Sequence, residues 1–85
     1  MFEGFFLYKC SVAREVSKLV KGEVVVNVDE IRDEISITVY ATENTRFVKN
    51  YKGLSKAVLY GIPHEYVARE FFKDYRKFIN ARYFR

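Results

Sequence analysis

Eighty-five residues, net charge +4 and a pI near 9.3 are enough for one small domain over residues 1–85. With one Cys and one His, the chain can form neither an internal disulfide nor a four-ligand zinc site of the usual Cys/His kind. No stretch approaches the ~18 to 20 apolar residues needed to span a bilayer, and the N-terminal MFEGFFLYKC has no basic n-region. The chain is therefore expected to be soluble and complete, off the membrane and, with its lone Cys10, cytoplasmic. Seven Tyr and eight Phe must supply the packing that staples would otherwise give.

Taken in order, the chain first predicts a helix over about residues 5–21, with Phe5, Tyr8, Val12, Val16, Leu19 and Val20 as its apolar stripe. An alternative makes residues 4–10 a short strand and starts the helix at Ser11, a good N-cap type. Gly22 suits the C′ position that ends a helix. The period then changes from 3.6 to 2. Residues 23–28 (EVVVNV) are rich in β-branched side chains, and residues 34–41 (EISITVYA) alternate. Ile35, Ile37, Val39 and Ala41 share one face, with Ser36, Thr38 and Tyr40 on the other. That pattern is an antiparallel hairpin with one covered and one wet face, turning at Asp29 to Asp33.

Residues 42–45 (TENT) predict a second turn. The following RFVKNYK reads as a third strand with Phe47, Lys49 and Tyr51 on one face, or as a helix grouping Phe47, Val48 and Tyr51. The turn before it and the Lys52-Gly53 break after it favour the strand. Residues 54–60 predict a short helix with Leu54, Ala57 and Val58 inward, stopped by Gly61. Pro63 fits the first turn of the last helix, where its missing N–H costs nothing, and Glu65 suits the positive end of that helix's dipole.

From His64 onward, about twenty residues form one amphipathic helix. Val67, Ala68, Phe71, Phe72, Tyr75, Phe78 and Ile79 recur at steps of three and four. A rod with so much apolar surface cannot stand alone and needs the sheet and the first helix beneath it. The expected fold is a small α+β domain in the order α-β-β-β-α-α, an antiparallel meander covered on one face by helices.

The other side of that helix carries Arg69, Lys73, Arg76 and Lys77, within about a quarter of the circumference. Such a row could meet successive phosphates, and Arg82 and Arg85 could extend it. It could equally be a solvated face, because Glu70 and Asp74 stand three and four residues from cationic neighbours. On the open sheet face, Ser36, Thr38 and Tyr40 with Val25, Asn27 and a ring from Phe47 or Tyr51 could form a base-stacking platform. His64 and Cys10 have no neighbour suited to acid–base or nucleophilic work. The acidic run Asp29, Glu30, Asp33, Glu34 lacks the spacing of a calcium loop and reads as a solvated turn. No nucleotide-binding or hydrolase motif is present. No cofactor, metal or catalytic residue is expected, and the chain is not read as an enzyme.

The helix–meander–helix layout resembles that of double-stranded RNA-binding domains, and Gly53-Leu54-Ser55-Lys56 resembles the stretch before their second helix. The paired lysines of that family are replaced here by Ala57 and Val58, and a short helix intervenes, so no RNA-binding residue carries over. In style the chain is similar to small accessory proteins of phages and other mobile elements. The first expectation is a non-enzymatic binding module with nucleic acid on Arg69, Lys73, Arg76 and Lys77. The second is a protein-interaction or homo-oligomeric domain using Tyr40, Tyr83 and Phe84.

Overall fold

The computed structural model describes the backbone from residue 3 to 83 and the side chains from 6 to 82. The order is α1 (Glu3–Leu19), β1 (Glu23–Asp29), β2 (Glu34–Thr42), β3 (Thr45–Lys52), α2 (Leu54–Leu59) and α3 (His64–Tyr83). The strands form an antiparallel sheet in the order β1-β2-β3. The helices cover one face, as the alternation of β2 and the stripe of the last helix require.

Register explains why that face is the core. Val24, Val39 and Phe47 lie side by side across the three strands, as do Val26, Ile37 and Lys49, and Val28, Ile35 and Tyr51. Ile35, Ile37 and Val39 are buried beneath Val12 and Val16 of α1 and Ala68, Phe71 and Tyr75 of α3. Residues 46–51 are therefore strand, with Phe47, Lys49 and Tyr51 turned toward the helices. The Phe47 ring meets Phe71, Tyr75 and Phe78 at centroid distances of 5.4, 5.9 and 5.1 Å. A shift by one residue would put this cluster into water, which fixes the register.

Several sequence expectations move. The first helix is a single helix, starting at Glu3 and ending at Leu19, and Leu19 stays 39% exposed instead of joining the stripe. Gly22 does not cap it at C′. Gly22 has φ +110°, and a Cβ there would fall against the Tyr40 carbonyl oxygen. Glycine is required by the close approach of the chain entering β1 to β2. The second turn narrows to Glu43 and Asn44, since Thr42 and Thr45 pair as strand, with a bulge between Tyr40 and Thr42.

Gly61 does end α2, at φ +66°. Its N–H donates to Val58 O and that of Ile62 to Ala57 O, the two bonds of a Schellman motif. Pro63 lies one step outside α3, where its carbonyl accepts from Tyr66 and Val67 and serves as the helix N-cap.

The β1–β2 turn has a structural task beyond solvation. Asp29 Oδ1 accepts from Ile31 N and Arg32 N, each at 3.1 Å. Asp33, at φ 55°, offers its carbonyl to Gly53 N and Leu54 N, and its carboxylate accepts from Ser55 N and Ser55 Oγ, both at 2.7 Å. Gly53 has no side chain to cap α2, so Asp33 supplies the cap from twenty residues upstream.

Candidate nucleic-acid interface and apolar corner

α3 presents Arg69, Lys73, Arg76 and Lys77 to solvent, while Ala68, Phe71 and Tyr75 are buried behind them. The two faces of one rod are separated as the 3.6 period dictates. Lys73 Nζ lies 3.6 Å from Glu70 Oε1, an exposed i,i+3 pair of little energetic weight. The Arg76 guanidinium lies 5.9 Å above the Phe72 ring. Asp74, which the sequence places among these cations, is turned away to the sheet, where the Lys49 ammonium of β3 holds it. That hydrogen bond, ahead of the Coulombic pull of Lys49 and Lys77, sets the Asp74 carboxyl below the usual aspartate range. Among the described residues, no carboxylate lies within ion-pair distance of Arg69, Arg76, Lys77 or Arg82.

The open sheet face is a poorer platform than the sequence suggests. Phe47 and Tyr51 belong to the core face, so β3 offers no ring there. Thr38 is buried between Val25 and Val48, its neighbours in register. Tyr40 is 37% exposed and stands between Glu23 and Arg46. Of the other expected interface residues, the Tyr83 side chain and Phe84 lie outside the described residues.

The fold also assembles a surface that the sequence did not single out. Leu59 and Tyr60 at the end of α2 are 76% and 75% exposed, Tyr66 of α3 58% and Leu7 of α1 57%, with Phe6 and Ile62 at 48% and 40%. Leu7 and Ile62 line a cleft of about 360 Å³ with Ser11, Val58, Pro63 and His64. Ile62 and Tyr66 line an adjoining pocket of about 180 Å³. Leu7, Ile62 and Tyr66 thus share one apolar corner where α1, α2 and α3 meet. A clue lay in the sequence of residues 59–66, which is apolar through the break between two helices, where solvated loops are usually polar.

His64 has neighbours the linear sequence does not reveal. Glu15 of α1 comes close, and the ligand atoms of Glu15, His64 and Glu65 all fall within 4.8 Å of one another. Glu15 is already engaged by Lys18 at 3.0 Å, a hydrogen bond that lowers its carboxyl pKa. The positive end of the α3 dipole also opposes a cation beside His64. The trio is best understood as a surface polar cluster. Cys10 is exposed and does not line the cleft beside His64.

No helix among the described residues is long and apolar enough to cross a membrane. Comparison with models of known protein families, with curated proteins and with solved structures finds no match. The likeness to double-stranded RNA-binding domains accordingly stays at the order of elements.

Proposed function

We propose that this chain is a small non-enzymatic binding module that docks on the backbone of nucleic acid through the outer face of α3. Arg69, Lys73, Arg76 and Lys77 carry the contact. The observation behind this reading is the turning of Asp74 into the Lys49 pair, which removes a carboxylate from the row and, among the described residues, leaves Arg69, Arg76 and Lys77 with none at ion-pair distance, Lys73 keeping only its exposed contact with Glu70. Lys21 and Arg46 add charge at the same end of the sheet, beside Glu23 and Tyr40, where Phe47 receives the second half of α3. Contacts of Arg and Lys with phosphate position a protein on nucleic acid and carry no sequence information, so the reading is one of backbone recognition.

Titration of a short labelled duplex at several salt concentrations tests the reading. Four neutralised phosphates give a slope of log K against log salt of about −3.6. Arg69→Ala and Lys77→Ala should each reduce that slope by about one. Absence of binding at low salt, or binding indifferent to both substitutions, rejects the proposal.

A further inference from the structure

Of the described rings on α3, Phe71 and Tyr75 are buried, and Phe78 packs against Phe47 at 5.1 Å. Phe72 is half-buried beneath the Arg76 guanidinium. Tyr66 differs from all of them. It is 58% exposed, and the helical period puts it on the cationic side of the rod. At 3.6 residues per turn its direction lies within about 20° of Lys73 and Lys77 and about 60° from Arg69. The row from Tyr66 to Lys77 is roughly 17 Å long, at ~1.5 Å per residue. Glu70, one turn on from Tyr66, borders this row and faces Lys73 at 3.6 Å. Tyr66 also lines the pocket of about 180 Å³, together with Tyr51, Lys52, Gly53, Leu54 and Ile62. A cavity of ~150 Å³ holds a benzene ring, so the space beside Tyr66 is large enough for a pyrimidine-sized one.

We infer that Tyr66 stacks an unpaired base, so that the ligand of this face is a single strand of nucleic acid. The assignment rests on the phosphate contact proposed for Arg69, Lys73, Arg76 and Lys77, and narrows it. A cationic track beside an exposed ring is the combination that holds single strands. The cations follow the backbone, and the ring takes the face of whichever base arrives. A duplex keeps its base faces inside the stack, and extruding one costs about as much as a single ring returns. Tyr66 therefore meets a base face only where the base is unpaired. A row of ~17 Å spans about five nucleotides at the ~3.4 Å spacing of a stacked strand, within the range of small single-strand sites. An acidic protein surface would neutralise the same cations but offers Tyr66 no regular flat ring, whereas a strand presents one at every step.

Fluorescence anisotropy with three labelled ligands separates the ring from the row: an oligothymidylate, an abasic strand of the same length, and a duplex. The wild-type protein should bind the oligothymidylate ~5- to 150-fold more tightly than the abasic strand, the contribution of one stacked base. Tyr66→Ala should erase that difference while leaving the affinity and salt slope for the abasic strand and the duplex unchanged. Tyr66→Phe should keep the difference, since stacking uses the ring and not the hydroxyl. Circular dichroism checks that both variants fold. Equal wild-type affinity for the two strands, with the salt slope intact, overturns base stacking and leaves the phosphate contact standing. No binding to any of the three at low salt overturns both. A folded Tyr66→Ala that weakens all three alike also overturns the assignment, because the ring would then act through the helix and not on a base.

Discussion

Lys49, on the core face of β3, reaches across to the Asp74 carboxylate of α3 and ties the sheet to the middle of the last helix. In register Lys49 occupies a position beside Ile37 and Val26 where an apolar residue would pack. Its aliphatic stem can cover that surface while the ammonium reaches the carboxylate. The pair thus serves the fold and at the same time arranges the charge of the outer face.

This coupling gives a test that links the two. In Lys49→Met, Asp74 loses its sheet partner and becomes available to Lys77, three residues on. The salt dependence of nucleic-acid binding should weaken by about one phosphate contact, a change in slope of roughly 0.9. Fluorescence anisotropy on the variant and on Lys49→Met/Asp74→Asn separates the causes, since the double variant should recover the steeper slope.

The same pair sets an acid limb. Because Lys49 holds the Asp74 carboxyl below its usual range in the folded chain, the pair contributes stability above that range and loses it as pH falls through the folded value. Urea midpoints taken from neutral pH down to pH ~3 should fall less steeply for Asp74→Asn than for the wild type. Equal slopes would mean that the ammonium does not discriminate the charged carboxylate.

Asp33 makes a different demand. It needs both a tolerated φ of 55° and a carboxylate aimed at Ser55. Asp33→Ala should cost about 1–2 kcal/mol for the cap, plus strain from the left-handed backbone. Asp33→Asn keeps the acceptor for Ser55 N and a side chain at ease in that region, so it should retain most of the stability. Chemical denaturation of the two variants provides the comparison.

Gly22 and Gly61 both have positive φ, but only Gly22 is enclosed. A Cβ at Gly61 meets nothing within 4 Å, whereas at Gly22 it runs into the β2 backbone. Gly61→Ala should cost about 1–2 kcal/mol, the backbone term. Gly22→Ala adds displacement of the β1–β2 junction and should cost more, with a thermal midpoint below that of Gly61→Ala. Equal midpoints would show that the junction yields freely.

These contacts also show which parts of the structure were legible in the sequence. The stripe of α3 and the alternation Ile35, Ile37, Val39 are local periodicities, so element order, sheet face and the exposure of Arg69, Lys73, Arg76 and Lys77 could be read from spacing. The Asp33–Ser55 and Lys49–Asp74 contacts span 22 and 25 residues, and no local pattern announces them. Spacing alone therefore gives Asp74 to its helical neighbours and Asp33 to a solvated turn. The apolar corner was missed for a related reason. Leu7, Ile62 and Tyr66 belong to different stretches, and each looks unremarkable until the fold sets Ile62 between the other two in adjoining pockets.

Tyr51 supplies an alkaline counterpart to Asp74. Its hydroxyl and that of Tyr8 are buried without a hydrogen-bond partner among the described residues. Burial first, then the nearby Asp74 and Glu70 carboxylates, push the Tyr51 phenol up from 10 to about 12. A folded pKa above the unfolded one means that this group's contribution is intact below pH 10 and lost as pH rises toward 12. Tyr51→Phe keeps the ring between Ile35 and α3 and removes both the unpaired hydroxyl and the titration. At neutral pH the variant should gain about 1 kcal/mol, since an unsatisfied buried hydroxyl costs about that or more. Between pH 10 and 12 it should lose less stability than the wild type, and the wild type's phenolate absorbance should show one tyrosine titrating late. A destabilised Tyr51→Phe would mean that the hydroxyl has a partner, most simply a buried water, and would redraw the contact between β3 and α3 at that point.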